Sequence, residues 1–393
     1  MADKKQDQKE KRNAKGGGSV RQRADGRWEA RCTIGGKTRS FYADKQADAL
    51  KLMRDAQKAV DDQTYVEPSK LTVGQWLDIW LEEYHKPTVK PSTYFTTVSN
   101  VKNHISPYLD KYKLQALAAP NIQKMINSML NDKKLKPSFI EVVMVKLSSA
   151  LGQAKKLGFI KVNPYEACIL PKKTNVEMSP LTDKEIAQFL QEIKSEPCCY
   201  KNLFLVTLFT GMRMGEITGL SWNDIDFKNK TVTVRQQLVK RNAKKISGKT
   251  AFISTTKNGK ERTIAPPQIV IDALKETRKE QIKDQLAAGI AWKNEYNLVF
   301  TNKLGTPLDH GNVHRHFKPI VERIGHPSAR FHDLRHTYAV MNLQEAVSPK
   351  TVQENLGHST VNFTLNVYAH VSEKMKKESA DRLQNYYEKL EAK

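Results

Sequence analysis

The sequence holds little that would anchor it in a membrane or cross-link it. No apolar run approaches the roughly 20 residues that a bilayer span needs, which excludes a membrane-spanning helical protein. Only four cysteines occur in 393 residues. Two of them, Cys198 and Cys199, are adjacent, none has CxxC spacing, and they read as reduced thiols. The N-terminus, Met1-Ala-Asp-Lys-Lys-Gln, lacks the apolar stretch of an export signal, so the chain is expected in the cytoplasm. The most informative shortage is of acid: 42 Asp and Glu stand against 65 Lys and Arg, a net charge of +23. Such an excess attracts polyanions, and nucleic acid is the leading partner.

What is present is a soluble, globular composition, 39% hydrophobic and 27% charged. At about 150 residues per domain, the length predicts two to three domains. Residues 1–18 are charged and end in Gly16-Gly17-Gly18, and read as a flexible basic tail. From Ser19 the pattern changes to short alternating runs with turns at Asp25-Gly26 and Gly35-Gly36, which predicts three strands. A helix capped by Asp44 and running to about Asp61 should follow, with Ala47, Leu50 and Ala59 facing inward. One sheet face is expected to carry Arg21, Arg23, Arg27 and Arg31 beside Trp28. That suits a β-ribbon laid in a DNA groove, set against a merely solvated basic face. A second segment, residues 70–171, is helical. Trp76, Leu77, Trp80, Leu81 and Tyr84 recur at spacings of three and four, a core stripe. Further helical stretches run from Ser92 to Ile105, Ala119 to Asn131 and Pro137 to Lys156. Lys90, Lys102, Lys155 and Lys156 are candidate phosphate contacts. A third segment opens at Thr182, whose spacing to Glu185 is that of a capping box. Its helices give way to strands at Thr231 to Val234, Phe252 to Lys257 and Arg262 to Ile264, with a turn at Asn258-Gly259, and then resume.

Four strings stand out in that third segment: Thr210-Gly-Met-Arg-Met-Gly-Glu216, Thr256-Lys-Asn-Gly259, His332-Asp-Leu-Arg-His336, and Leu356-Gly-His358 followed by Val367-Tyr-Ala-His370. In this order they resemble the tyrosine recombinases (phage integrases), most of all the integrases of conjugative transposons. The resemblance implies a multidomain α+β fold. Residues 19–66 would be an arm-type DNA-binding domain of three strands and a helix. Residues 70–171 would be an all-α, SAM-like core-binding domain. Residues 178–393 would be a mainly α catalytic domain with a small β-sheet and a tail helix from about residue 373.

The resemblance also implies a metal-independent enzyme without cofactors that integrates and excises a mobile element. Strands would be cut and rejoined through a 3′-phosphotyrosyl link and a Holliday junction. Tyr368 matches the nucleophile, because a covalent tyrosine ester conserves the energy of the broken phosphodiester. Arg213 and Arg335 match the two arginines that hold the phosphate oxygens. Lys257 matches the general acid for the leaving 5′ oxygen, with Lys260 and Lys249 as rivals. His332 and His358 match the two histidine positions. Glu216 matches an acid that orients these groups. The implied partners are double-stranded DNA as element ends, target and junction, a tetramer of the chain itself, an excisionase and a DNA-bending host protein.

Other readings compete at single residues. His332 and His336 have the i, i+4 spacing of a zinc-protease helix, with Asp333 in the place of the base, although Asp is short for that task and Arg335 would crowd a dication. His310, His314 and His316 suggest metal only weakly, and Tyr386 and Tyr387 are rival nucleophiles by type alone. A non-catalytic DNA-binding protein would have no use for Tyr368. In the tail, Met375, Ser379, Leu383, Tyr386, Tyr387 and Leu390 form one apolar stripe, expected to dock on a neighbouring copy. Deleting about 15 or more of the residues after Tyr368 should therefore leave DNA binding intact and disturb synapsis; normal recombination by the truncated chain would contradict docking in trans.

Overall fold

The computed structural model describes residues 18–62, 65–173, 179–239, 251–256 and 259–357, together with positions 384, 387, 388 and 390. The predicted basic tail and most of the tail helix lie outside these residues. The chain divides into two compact units at residues 174 and 175.

In the first unit, β1 (Ser19–Gln22), β2 (Trp28–Ile34) and β3 (Lys37–Ala43) form an antiparallel sheet in the order β1-β2-β3. Gly35 and Gly36 join β2 to β3 with φ of 56° and 75°, the two positive values that a tight hairpin of matching twist requires. Helix α1 (Gln46–Asp61) covers one face. Strand alternation puts Ala30, Cys32 and Ile34 under that helix, with Val20, Trp28 and Phe41 packed around them. Trp28 is therefore on the core face and not beside the arginines, because Arg21 and Arg31 occupy the opposite parity. The helix also differs from expectation. Its N-cap is Lys45, without a side-chain cap, and its buried residues are Ala49, Met53 and Ala56. Ala47 is exposed and Ala59 only half-buried. The apolar side of the sheet selects the face that offers Met53, with the half-buried Leu50 packed beside it as expected.

The helices that follow are α2 (Val73–Ile79), α3 (Pro91–Asn100), α4 (Ser106–Leu109), α5 (Ala119–Asn131) and α6 (Pro137–Lys156). Thr72 and Gln75 form a reciprocal capping box on α2. Pro91 and Pro137 sit in first turns, where the missing N–H has no helical acceptor. Helices α2 and α3 continue through π-helical turns at Trp80–His85 and Val101–Ile105. Trp76, Leu77, Trp80 and Leu81 are core. Trp76 also donates from Nε1 to the Ala150 carbonyl at 2.9 Å, tying α2 to α6. Tyr84 is the exception in the stripe. It is 36% exposed, at the rim, its ring 6.0 Å from that of Trp76.

In the second unit, α7 (Asp183–Glu192) starts at the expected Thr182–Glu185 capping box. Next come α8 (Cys198–Thr210) and α9 (Met214–Thr218). Five short strands follow: β4 (Ile225–Asp226), β5 (Thr231–Val234), β6 (Gln236–Val239), β7 (Phe252–Thr255) and β8 (Arg262–Ile264). Strand β7 pairs with β6, while β8 pairs with β5, so β7 and β8 belong to two small sheets and do not close one hairpin. Helices α10 (Gln268–Ala288), α11 (His310–Arg323), α12 (Asp333–Gln344) and α13 (Pro349–Leu356) follow among the described residues. Phe189, Phe204, Phe317 and Phe331 meet edge to face or tilted in its core, at centroid distances of 5.8–6.3 Å.

Helix α6 offers a direct check of this packing. Leu147 is fully buried and Val145 is 51% exposed. Leu147→Ala should lower unfolding free energy in urea by about 2–5 kcal/mol, and Val145→Ala by no more than about 0.5 kcal/mol. Equal effects would contradict the assigned helix face.

Candidate active site

Two helix ends and one strand build the site in the second unit. Helix α8 stops at Gly211, whose φ of 63° is left-handed. A side chain there would collide with Leu356 Cδ2 at 2.5 Å and Tyr338 Cδ1 at 2.7 Å, so this turn demands glycine. Met212 is buried and fixes the turn. Arg213 becomes the extended residue that precedes α9. Glu216, three residues on, accepts the Arg213 backbone N–H at 3.0 Å and its Nη1 at 2.7 Å.

The same carboxylate is held by a second arginine. Arg262, on β8, donates Nη2 to Glu216 Oε2 at 2.6 Å and Nη1 to Oε1 at 3.2 Å, and its Nε to the Asn355 carbonyl at 2.6 Å. Burial alone would raise the Glu216 pKa. The hydrogen bonds and charge of Arg262, with the charge of Arg213, outweigh it and hold the carboxyl at about 2.

Helix α12 supplies the third guanidinium. Arg335 is 1% exposed. It donates Nη1 to the Gly211 carbonyl at 2.7 Å and Nη2 to the Leu356 carbonyl at 2.6 Å, while its buried Nε has no acceptor among the described residues. Arg213 Nη2 points to the next carbonyl, Gly357, at 3.4 Å. Burial and then the charge of Arg213 lower the Arg335 pKa to about 9, which leaves it cationic at neutral pH. His332 stands at the head of α12. Although the residue as a whole is exposed, desolvation of its ring, His336 and the charges of Arg335 and Arg213 bring its pKa to about 4, so the imidazole is neutral.

The structure thus brings together Arg213, Glu216, His332 and Arg335, and adds Arg262, which the motif reading passed over. The available signal was parity: Arg262 shares a strand face with the buried Ile264, and an arginine on a core face needs a partner. Lys257, His358 and Tyr368 lie outside the described residues, as does the rival Lys249. Lys260 is exposed, its carbonyl accepting from Thr256 Oγ1. For the zinc-helix reading, no group of three His, Cys, Asp or Glu side chains among the described residues is placed to hold a metal ion, and both Asp333 oxygens are taken by Arg330, at 2.7 Å from its backbone N–H and 2.8 Å from Nη2. His310 meets Thr218 Oγ1, His314 lies edge-on to Phe331, and His316 stacks on Tyr200 and pairs with Glu196.

The basic candidates of the first unit are placed separately. Arg21 and Arg31 both bond Glu29 at 2.8 Å; Arg23 and Arg27 pair with Asp25 at 3.8 and 2.9 Å. Lys90, Lys102 and Lys156 are exposed, and Lys155 faces Glu166 at 3.7 Å.

Comparison with known proteins follows from this geometry. Residues 180–375 match the phage integrase family, and residues 72–130 match the N-terminal SAM-like domain of phage integrases. A tyrosine recombinase XerC-like protein of Caldanaerobacter subterraneus is 29% identical over 363 residues, 89% of this chain and 92% of its own. The solved Tn1549 transposon integrase in complex with a circular intermediate DNA is 21% identical, with a TM-score of 0.67 over 79% of this chain and 99% of that one. A lambda integrase tetramer bound to a Holliday junction has a TM-score of 0.57 at 21% identity, over 88% of this chain and 94% of that one.

Glu216→Gln should lower stability at pH 7 by about 3–5 kcal/mol, because it leaves buried guanidinium charge unbalanced. A carboxyl held at about 2 against 4.5 in the unfolded chain stabilises fully above pH 4.5 and loses that contribution as pH falls toward 2. Urea unfolding of both proteins should therefore converge across that window; a constant difference would contradict the ionised clamp.

Proposed function

The chain belongs to the phage integrase family of tyrosine recombinases, and from that membership we propose that it is the integrase of a mobile element. It cuts and rejoins DNA strands for integration and excision through a 3′-phosphotyrosyl link and a Holliday junction. One observation carries the chemistry: two guanidinium groups, Arg213 and Arg262, bond a single carboxylate, Glu216, and a third, Arg335, stands near enough to feel the charges of all three. That leaves an excess of two positive charges and a buried donor, Arg335 Nε, without an acceptor. A phosphodiester in its pentacoordinate transition state carries two negative charges on its non-bridging oxygens, which is the complement of that excess.

In this reading the Tyr368 phenol passes its proton to a neutral imidazole of the site as its oxygen attacks phosphorus, the bond to the 5′ oxygen breaks, and Lys257 gives that oxygen its proton. Arg213 and Arg335 neutralise the oxygens. His332, neutral at working pH, hydrogen-bonds the phosphate, and His358 does the same. Glu216 fixes Arg213. The 5′ hydroxyl of the incoming strand reverses the reaction on the tyrosine ester, so no metal or cofactor takes part. Residues 19–66 act as the arm-type DNA-binding domain, 70–171 as the core-binding domain and 178–393 as the catalytic domain. The solved structures of the Tn1549 integrase with circular intermediate DNA and of a lambda integrase tetramer bound to a Holliday junction support a tetramer on paired duplexes here. An excisionase and a DNA-bending host protein would set direction, in a cytoplasmic, nucleoid-associated assembly.

The test is a nicked duplex carrying the element's end, incubated with protein in EDTA and resolved on a denaturing gel. Wild type should form a covalent protein–DNA adduct, Tyr368→Phe none, and Arg213→Ala an adduct about 10²–10³-fold more slowly. Binding without an adduct by wild type would favour a DNA-binding protein without chemistry, and an adduct from Tyr368→Phe would mean that another residue is the nucleophile.

A further inference from the structure

The face of the N-terminal sheet that α1 leaves uncovered holds an acid where a polyanion-binding surface has least use for one. Cross-strand register sets Arg21 (β1), Glu29 (β2) and Tyr42 (β3) in one row, and Ser19, Arg31 and Ser40 in the next. Glu29 lies in the middle and is 1% exposed, not because it faces the core but because its neighbours cover it. Arg21 bonds Oε2 through Nε at 2.8 Å, Arg31 bonds Oε1 through Nε at 2.8 Å, and the Tyr42 hydroxyl donates to Oε1 at 3.0 Å. The guanidinium of Arg23 lies 5.3 Å from the Tyr42 ring centroid. These hydrogen bonds hold the carboxyl at about 2.

The choice of donor atom matters. Both arginines spend Nε on the carboxylate, and among the described residues their Nη nitrogens bond nothing, on side chains 61% and 42% exposed. A guanidinium pinned at Nε keeps its two-nitrogen tip free, and that tip matches the O6 and N7 pair of guanine in a major groove. The clamp lowers the charge of the trio from +2 to +1, so it weakens general attraction to phosphate. What it supplies is order, since two long side chains no longer lose rotamer freedom on binding.

We propose that Glu29 is a positioning residue of a sequence-reading surface, and that Arg21 and Arg31 present their Nη tips from it to guanine edges of duplex DNA. The proposal rests on the DNA-acting function above for its ligand, and concerns residues remote in sequence from the catalytic strings.

The test uses the full chain and a pool of random 30-bp duplexes, with rounds of selection run in parallel on wild type, on Glu29→Gln, and on the double variant Arg21→Lys and Arg31→Lys. The double variant keeps charge and loses the forked tips. Wild type should enrich a guanine-containing motif that both variants lose together, with at least a tenfold fall in its preference over scrambled duplex. Glu29→Gln should hold scrambled duplex as tightly as wild type or more tightly, since it removes a negative charge. Identical motifs from all three proteins would overturn the proposal. So would a Glu29→Gln protein that keeps the motif the lysine variant loses, or one that loses affinity for both duplexes equally. The covalent-adduct assay on the same proteins reports separately on the catalytic reading: adducts that persist in Glu29→Gln with the motif lost separate the two functions.

Discussion

The site depends on how one buried cation is kept. Taking a guanidinium out of water costs several kcal/mol unless oxygen dipoles replace the lost hydration. For Arg335 the replacements are the carbonyls of Gly211 and Leu356, which lie at the C-terminal ends of α8 and α13. Each end carries about half a negative charge from the aligned peptide dipoles, so two helices together offset nearly one cation. Both ends turn through a left-handed glycine, Gly211 with φ of 63° and Gly357 with φ of 65°. At 357 a Cβ would press within 3.2 Å of Arg262. A single side chain from α12 thus sets the relative positions of two turns. Arg213 leaves the first turn two residues later, and His358 follows the second in sequence.

Balance of charge separates this site from its surroundings in the second unit. There Arg323 pairs with Glu192, Arg235 with Asp224 and Arg330 with Asp333, one acid to each. At the site Arg213 and Arg262 share Glu216, and Arg335 beside them bears its burial and then the repulsion of Arg213 as a lowered pKa. A fold keeps such an imbalance at a cost to its own stability, which a dianionic group bound as proposed would recover. Glu216 prevents the imbalance from pushing the arginines apart beforehand. It is ionised at any working pH, so the arrangement does not depend on acid conditions.

The strings around Gly211, Arg335 and Gly357 were legible because each joins a backbone requirement to a chemical one within a few residues. A glycine must end the helix, and the next residues must turn toward a common point. Arg262 was not legible from its string, since its partners, Glu216 and Asn355, are 46 and 93 residues away and only the pairing of β8 with β5 brings them near. The same limit applies in the first unit. The three strands and their glycine turns were evident, but the side on which Trp28 and α1 would meet depended on which face of the helix could fill the sheet's apolar gap. Helix extents in the bundle were legible from proline and apolar spacing. The rim position of Tyr84 was not, because a stripe of period 3.6 gives a direction of burial and no depth.

Two solitary carboxylates, Glu29 and Glu216, do related work in a chain with a large excess of base. Each sits beneath a pair of arginines, each is covered by them, and each is held at about 2. The difference lies in what the arginines have left to give. Arg213 and Arg262, 22% and 9% exposed, bring terminal nitrogens to the acid and to neighbouring carbonyls, so they are immobilised for a fixed target. Arg21 and Arg31 give only Nε and remain open, which suits contact with a partner that arrives from solvent. Net charge alone gathers DNA without distinction of sequence or step. On the proposed function, a hidden acid under paired arginines would convert part of that general attraction into fixed geometry, once for a phosphate and once for an exposed face.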